Sequence, residues 1–116
     1  MDQSEPREIY FYKNYFNDFF RSLRTEVQAK LNWTLQLIIS LDRIPTKYFE
    51  HITDPTGLYE IRVECKSEIF RVFAFFDEGN IIVVTSGFQK KTPKTPRSEI
   101  LRAEKIKKQY FDEKSQ

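Results

Sequence analysis

Three stretches of the sequence carry side chains suited to chemistry on a phosphate. Leu58 to Cys65 (LYEIRVEC) alternates strictly, so Glu60, Arg62 and Glu64 share one face of a strand while Tyr59, Ile61, Val63 and Cys65 share the other. Arg71 stands inside the run Ile69 to Asp77 (IFRVFAFFD), among Phe70, Val72, Phe73 and Phe75. An arginine in such surroundings is costly unless an anion uses it or a carboxylate pairs with it. Gly87 to Thr92 (GFQKKT) then delivers Lys90 and Lys91 at the exit of a third strand. Glu60, Arg62, Arg71, Lys90 and Lys91 are therefore expected to converge on one shallow, mostly cationic groove. The competing expectation is a plain cross-strand ion pair between Arg71 and Glu60 or Glu64.

Cleavage of RNA without a metal needs few groups. A base takes the proton of a 2′-hydroxyl, cations hold the charge that grows on the phosphate, and an acid protonates the departing 5′-oxygen. Glu60 is the candidate base, Arg71 and Arg62 the candidate stabilisers, and Lys90 or Lys91 the candidate phosphate clamp or proton donor. His51 precedes the turn at Gly57 and is read as a surface or hinge residue. The lone Cys65 cannot form an internal disulfide, and one Cys with one His cannot build a structural zinc site. Cys65 reads instead as a small buried hydrophobe at a strand end. No metal or cofactor is called for.

Charge is distributed unevenly along the chain. Residues 1–86 carry ten Lys/Arg against thirteen Asp/Glu, a net of −3, whereas residues 87–116 carry nine against four, a net of +5. A basic C-terminal third attracts phosphate backbones, although a lysine-rich surface can also be mere solvation. Lys66, Lys90, Lys91, Lys94 and Arg97 are the candidate RNA-binding residues. At 116 residues, with 40% hydrophobic and 31% charged side chains, the chain suits one folded domain, 1–116. It has no apolar run long enough for a membrane span, and its polar, acidic start carries no secretory pattern. A cytoplasmic protein that makes no use of a membrane is expected.

The elements that must position these residues follow from periodicity. Glu8 to Lys13 (EIYFYK) reads as a first strand. Asn14 reads as the cap of a short helix bearing Tyr15, Phe16, Phe19 and Phe20. A longer helix over about 24–41 has the stripe Val27, Leu31, Leu35 and Ile38, closed by Leu41, with Thr34 beside it. After Pro45, one helical turn is expected over 46–51, then a turn cluster at 54–57. Strands at 58–65, 69–77 and 81–89 follow as a meander, turning at Ser67-Glu68 and at Glu78-Gly79-Asn80. Thr95 as N-cap and Pro96 as first residue open a final helix to about Phe111, with Ile100, Ala103, Ile106 and Tyr110 inward. The expected fold is α+β, in the order β-α-α-β-β-β-α: an antiparallel twisted sheet, joined by the strand at 8–13, packed on a helical hairpin.

The segment from Leu58 to Glu99, read as GLYEIRV, FRVFAFF and GFQKKTPKTPRSEI, resembles the phage-derived branch of the RelE/HigB toxin superfamily. A looser likeness extends over the whole chain. The resemblance implies a RelE-like fold and a ribosome-dependent mRNA endonuclease of a type II toxin–antitoxin module, inhibiting translation. It implies as partners mRNA, the ribosome and a cognate helix-turn-helix antitoxin of the HigA kind, with promoter DNA reached only through that antitoxin. In the better-described members two lysines alternate on the strand matching 58–65; here those positions hold Glu60 and Arg62, one inverting the charge and one keeping it. Their next-strand arginine corresponds to Arg71, and a later arginine to the neighbourhood of Lys90 and Lys91. Their C-terminal-helix tyrosine falls near Leu101 and has no counterpart. Two other readings stay open: a non-catalytic RNA- or antitoxin-binding protein of the same fold, and a scaffolding domain whose basic end is incidental.

Overall fold

A computed structural model describes residues 6–53 and 57–116. In chain order its elements are β1 (Glu8–Phe11), α1 (Tyr15–Arg21), α2 (Thr25–Ser40), β2 (Phe49–Thr53), β3 (Leu58–Cys65), β4 (Glu68–Asp77), β5 (Ile81–Lys90) and α3 (Arg97–Lys114). The strands form one sheet in the order β1-β5-β4-β3-β2. The class is α+β with a mixed sheet, compatible with a RelE-like fold.

The central meander lies where alternation puts it. Arg62 faces Arg71 across β3 and β4, and Arg71 faces Phe88 across β4 and β5. Its first turn differs by one residue from expectation. Lys66 and Ser67 both take positive φ (49° and 65°), the backbone of a tight two-residue hairpin, and Glu68 already begins β4.

Two expectations about the sheet need correction. The first strand ends at Phe11 rather than residue 13, and it runs parallel to β5, so the sheet is not purely antiparallel. Two helices and three strands separate β1 from β5 in the chain, so no tight turn imposes an antiparallel direction on the pair. The helical turn expected over 46–51 is real only to Tyr48, whose N–H donates to the Pro45 carbonyl at 2.9 Å. From Phe49 the chain is strand, pairing Glu50 with Glu60 and His51 with Tyr59. Phe49 decides this: its ring is buried and stacks on Tyr59 at 4.8 Å with a 6° interplanar angle. Of the turn cluster at 54–57, residues 54–56 lie outside the described residues; Gly57 has φ +73°.

Helices cover both faces of the sheet. On one face Val27, Leu31, Leu35 and Ile38 of α2, with Phe16 of α1, bury Ile61, Val63, Val72 and Val84. The expected α2 stripe is buried throughout apart from Leu41, which is exposed; Thr34 is buried too, its hydroxyl donating to the Lys30 carbonyl at 2.9 Å. Arg7 closes the end of α2 by donating to the carbonyls of Ile38 (3.1 Å) and Asp42 (2.7 Å). On the other face Ala103 and Ile106 of α3 pack on Leu58, Phe73, Phe75, Val83 and Phe88. Burial from two sides is why β4 reads as a nearly continuous apolar run. α3 is tied down at its far end, where Tyr110 and Lys114 meet Asp77 at 2.6 and 2.7 Å.

Candidate functional site

The cluster is built on β3 and β4 by register alone. Cross-strand partners in an antiparallel pair project to the same face, so Glu60, Arg62 and Arg71 all rise on the face that α3 partly covers. A register irregularity between Val72 and Ala74 lets β5 carry an extra residue opposite β4. Beyond it the alternation of β5 is reversed. Phe88 pairs with Arg71 and Lys90 with Ile69, so Lys90, not Gln89, shares the face of the arginines.

Glu60 is the hub. Its side chain is 2% exposed, and its Oε1 lies 3.4 Å from the Arg71 Nε and 3.5 Å from the Arg62 Nε. Its other oxygen, Oε2, accepts a hydrogen bond from the Thr95 hydroxyl at 2.7 Å. A buried carboxylate without such partners would be strongly disfavoured. Arg62 also meets Glu50 of β2 at 2.6 Å. Arg71 donates from Nη1 to the Phe70 carbonyl at 3.1 Å. Neither Nε makes an aligned hydrogen bond, so each guanidinium retains a buried donor. Burial pulls the Arg71 pKa below its ordinary value, as does the neighbouring Arg62 charge, with Glu60 opposing.

This arrangement realises the competing expectation of an Arg71–Glu60 pair and alters the groove. It is not mostly cationic: Glu50 and Glu60 oppose Arg62, Arg71 and Lys90 in the same cluster. A cavity of about 310 Å³ opens beside it, lined by Glu50, Glu60, Arg62, Lys90 and Thr95, with exposed His51 also lining it. A second cavity, of about 330 Å³, is lined by Arg62 and Arg71 as well. An anion entering here meets fixed guanidiniums on rigid strands, an arrangement suited to holding a phosphoryl oxygen.

The remaining sequence-derived residues fall in two places. Lys91, Lys94 and Arg97 are exposed along the segment from β5 into α3, next to Lys90. Lys66 stands apart, at the β3–β4 turn, paired with Glu26 of α2 at 3.1 Å. Thr95 and Glu50 are cluster members that sequence reasoning missed. Thr95 was expected to cap α3, yet Pro96 occupies the N-cap and the threonine hydroxyl is spent on Glu60. Among the described residues no group of three or more His, Cys, Asp or Glu could hold a metal ion, and no helix is long and apolar enough to cross a membrane.

Residues 18–108 match the model of the family described as phage derived protein Gp49-like (DUF891). A comparison with curated proteins returned no match. The matched span takes in most of α1, every strand of the meander and the whole Glu60 cluster. The chain belongs to the Gp49-like family, a family of the RelE/HigB-type toxin superfamily whose members are commonly toxins of toxin–antitoxin pairs.

Proposed function

We propose, with that membership as premise, that the chain is the toxin of a type II toxin–antitoxin module, cleaving messenger RNA on the ribosome by 2′-hydroxyl attack without a metal. The observation that carries this reading is the Arg62–Glu60–Arg71 cluster: two guanidiniums on adjacent strands, held through Nε by one buried carboxylate and lining an open cavity. Arg71 and Arg62 stabilise the charge that develops on the non-bridging oxygens, and need no reorganisation to do so. Lys90 and Lys91 clamp the phosphate or protonate the leaving 5′-oxygen. Glu60, the acceptor suggested by sequence, has both oxygens engaged and is 2% exposed, so its work is to hold the guanidiniums. Acceptance of the 2′-hydroxyl proton falls instead to Glu50 or His51 on the same rim. Lys94 and Arg97 extend the RNA path, and Lys66 reaches it only if its tie to Glu26 opens.

The same reading names a helix-turn-helix antitoxin of the HigA kind as partner, with promoter DNA bound through the antitoxin. Expression of the chain in bacteria, with primer extension on a reporter message, tests it: growth arrest and new 5′ ends are expected. The alternative, a non-catalytic protein that binds RNA or antitoxin, is favoured by one observation, the buried Arg71–Glu60 pair, which suits a structural role. Antitoxin capture without new 5′ ends would decide for it.

A further inference from the structure

Trp33 is the chain's only tryptophan, and on α2 its side chain is 47% exposed although large aromatic surface is normally withdrawn from water. It does not stand alone. Tyr48 meets it edge-on, with ring centroids 5.6 Å apart at 79°, which holds the indole steady. Lys30 and Lys47 lie over the two rings, at 5.9 Å from the Trp33 centroid and 5.6 Å from that of Tyr48. These four side chains line the cavity of about 330 Å³ whose other wall includes Arg62 and Arg71.

We infer that this cavity is a stacking site for one base of single-stranded RNA, next to the phosphate site. The inference rests on the nuclease reading only for the identity of the neighbouring phosphate. An exposed indole braced by a second ring gives a base a flat apolar face, and base–aromatic stacking is tolerant of sequence. The cations around it match the charge that every nucleotide brings: Lys30 and Lys47 line the cavity against the single carboxylate of Glu64, while Arg62 and Arg71, also in its wall, are offset in part by Glu50 and Glu60. That imbalance favours a polyanion over an acidic-and-apolar peptide, for which an unbroken apolar groove would serve better. Because Arg62 borders both cavities and Arg71 stands beside it, a nucleotide stacked on Trp33 keeps its phosphate next to the guanidiniums that act on the following one.

The lone tryptophan supplies the readout. Titration of the full chain with hexaadenylate RNA should quench Trp33 fluorescence, and a hexamer of abasic ribose phosphate, equal in charge, should not. Trp33→Ala should weaken hexaadenylate binding, read by anisotropy of labelled RNA, about five- to a hundredfold. Trp33→Phe should restore most of that loss, and both variants should stay folded with only a small drop in melting temperature, since about half of the indole is exposed. Equal quenching by the abasic hexamer, or unchanged affinity in Trp33→Ala, would overturn the stacking site. A Trp33→Ala chain that loses antitoxin but keeps hexaadenylate also overturns it, assigning the surface to the protein partner. Quenching by hexaadenylate in a chain that cleaves no message would leave the stacking site standing and remove the nuclease reading instead.

Discussion

Arg62 and Arg71 stand directly opposite each other across β3 and β4, and one carboxylate oxygen of Glu60 lies 3.5 Å from one Nε and 3.4 Å from the other. Like charges at facing positions repel, so Glu60 is what permits the pair. It holds both arginines through a single oxygen, while its other oxygen accepts from the Thr95 hydroxyl.

Arg71→Ala is expected to lower mRNA cleavage by about a hundredfold or more, the cost of losing one fixed donor to developing charge. It also leaves Glu60 buried with one partner fewer, so some loss of melting temperature is expected from the same change. The double variant Glu60→Gln/Arg71→Ala separates the two effects. Removing the stranded charge should return much of the stability while cleavage stays absent. Cleavage that returns together with the melting temperature would make Arg71 a structural residue and no part of the site.

Alanine at Lys91 and Lys94 together should weaken RNA binding at every sequence tested and leave the fold alone, since both side chains are exposed. The slope of log affinity against log salt should become shallower by about 0.7 for each single-strand phosphate that the variant no longer neutralises. An unchanged slope would show that the segment between β5 and α3 does not follow the backbone.

The anchor of α3 should be sensitive at both ends of the pH scale. Hydrogen bonds from Lys114 and Tyr110 hold the Asp77 carboxyl below its ordinary pKa, so its share of stability is present above that ordinary value and fades as pH falls through the lowered one. Burial and then the Asp77 hydrogen bond push the Tyr110 phenol up to about 12. Its share is complete below the ordinary tyrosine pKa and is lost as pH climbs toward about 12. Tyr110→Phe should cost about 1 kcal/mol at neutral pH and flatten the alkaline arm of the stability curve. Urea unfolding across the pH range measures both, and an alkaline arm as steep as the parent's would remove Tyr110 as its source.

Gly87→Ala should destabilise the chain by about 1–3 kcal/mol, because the new methyl would lie 2.5 Å from the Phe19 ring. Shortening the obstacle in Gly87→Ala/Phe19→Leu should recover part of that loss. Ser67→Gly should move the other way, gaining about 1 kcal/mol by relieving a side chain held at φ 65°. Thermal melts of the three variants suffice, and a Gly87→Ala chain as stable as the parent would mean that Phe19 swings clear.

The meander, both long helices and the buried side of α2 were legible because each rests on a local period that survives packing. Glu60, Arg62 and Arg71 were brought together on the same ground, since register follows alternation. Signals that depend on distant partners stayed hidden. Residues 49–53 (FEHIT) are too short and too irregular to show a period, and it is the distant Tyr59 and Phe76 rings that hold Phe49 in a strand. Thr95 followed by Pro96 has the look of a cap, and nothing nearby in sequence shows that Glu60 claims the hydroxyl. The parallel pairing of β1 is equally silent, because no tight turn links it to β5. The reversed alternation of β5 could have been suspected from Gly87, a residue that often marks a bulge within a strand.

The lacing of β1 and α1 to α3 has a consequence for synthesis. Tyr12 bonds Glu113 and Tyr15 bonds Gln109, partners 101 and 94 residues apart, while β1 must wait for β5 before it can pair at all. Contacts this distant form late and slowly. A nascent chain still missing α3 therefore has a first strand without its tyrosine anchors, and until Thr95 has left the exit tunnel Glu60 lacks its hydroxyl partner. The arginines are made well before the frame that aims them, so a product that stops short of Thr95 carries the guanidiniums without the geometry.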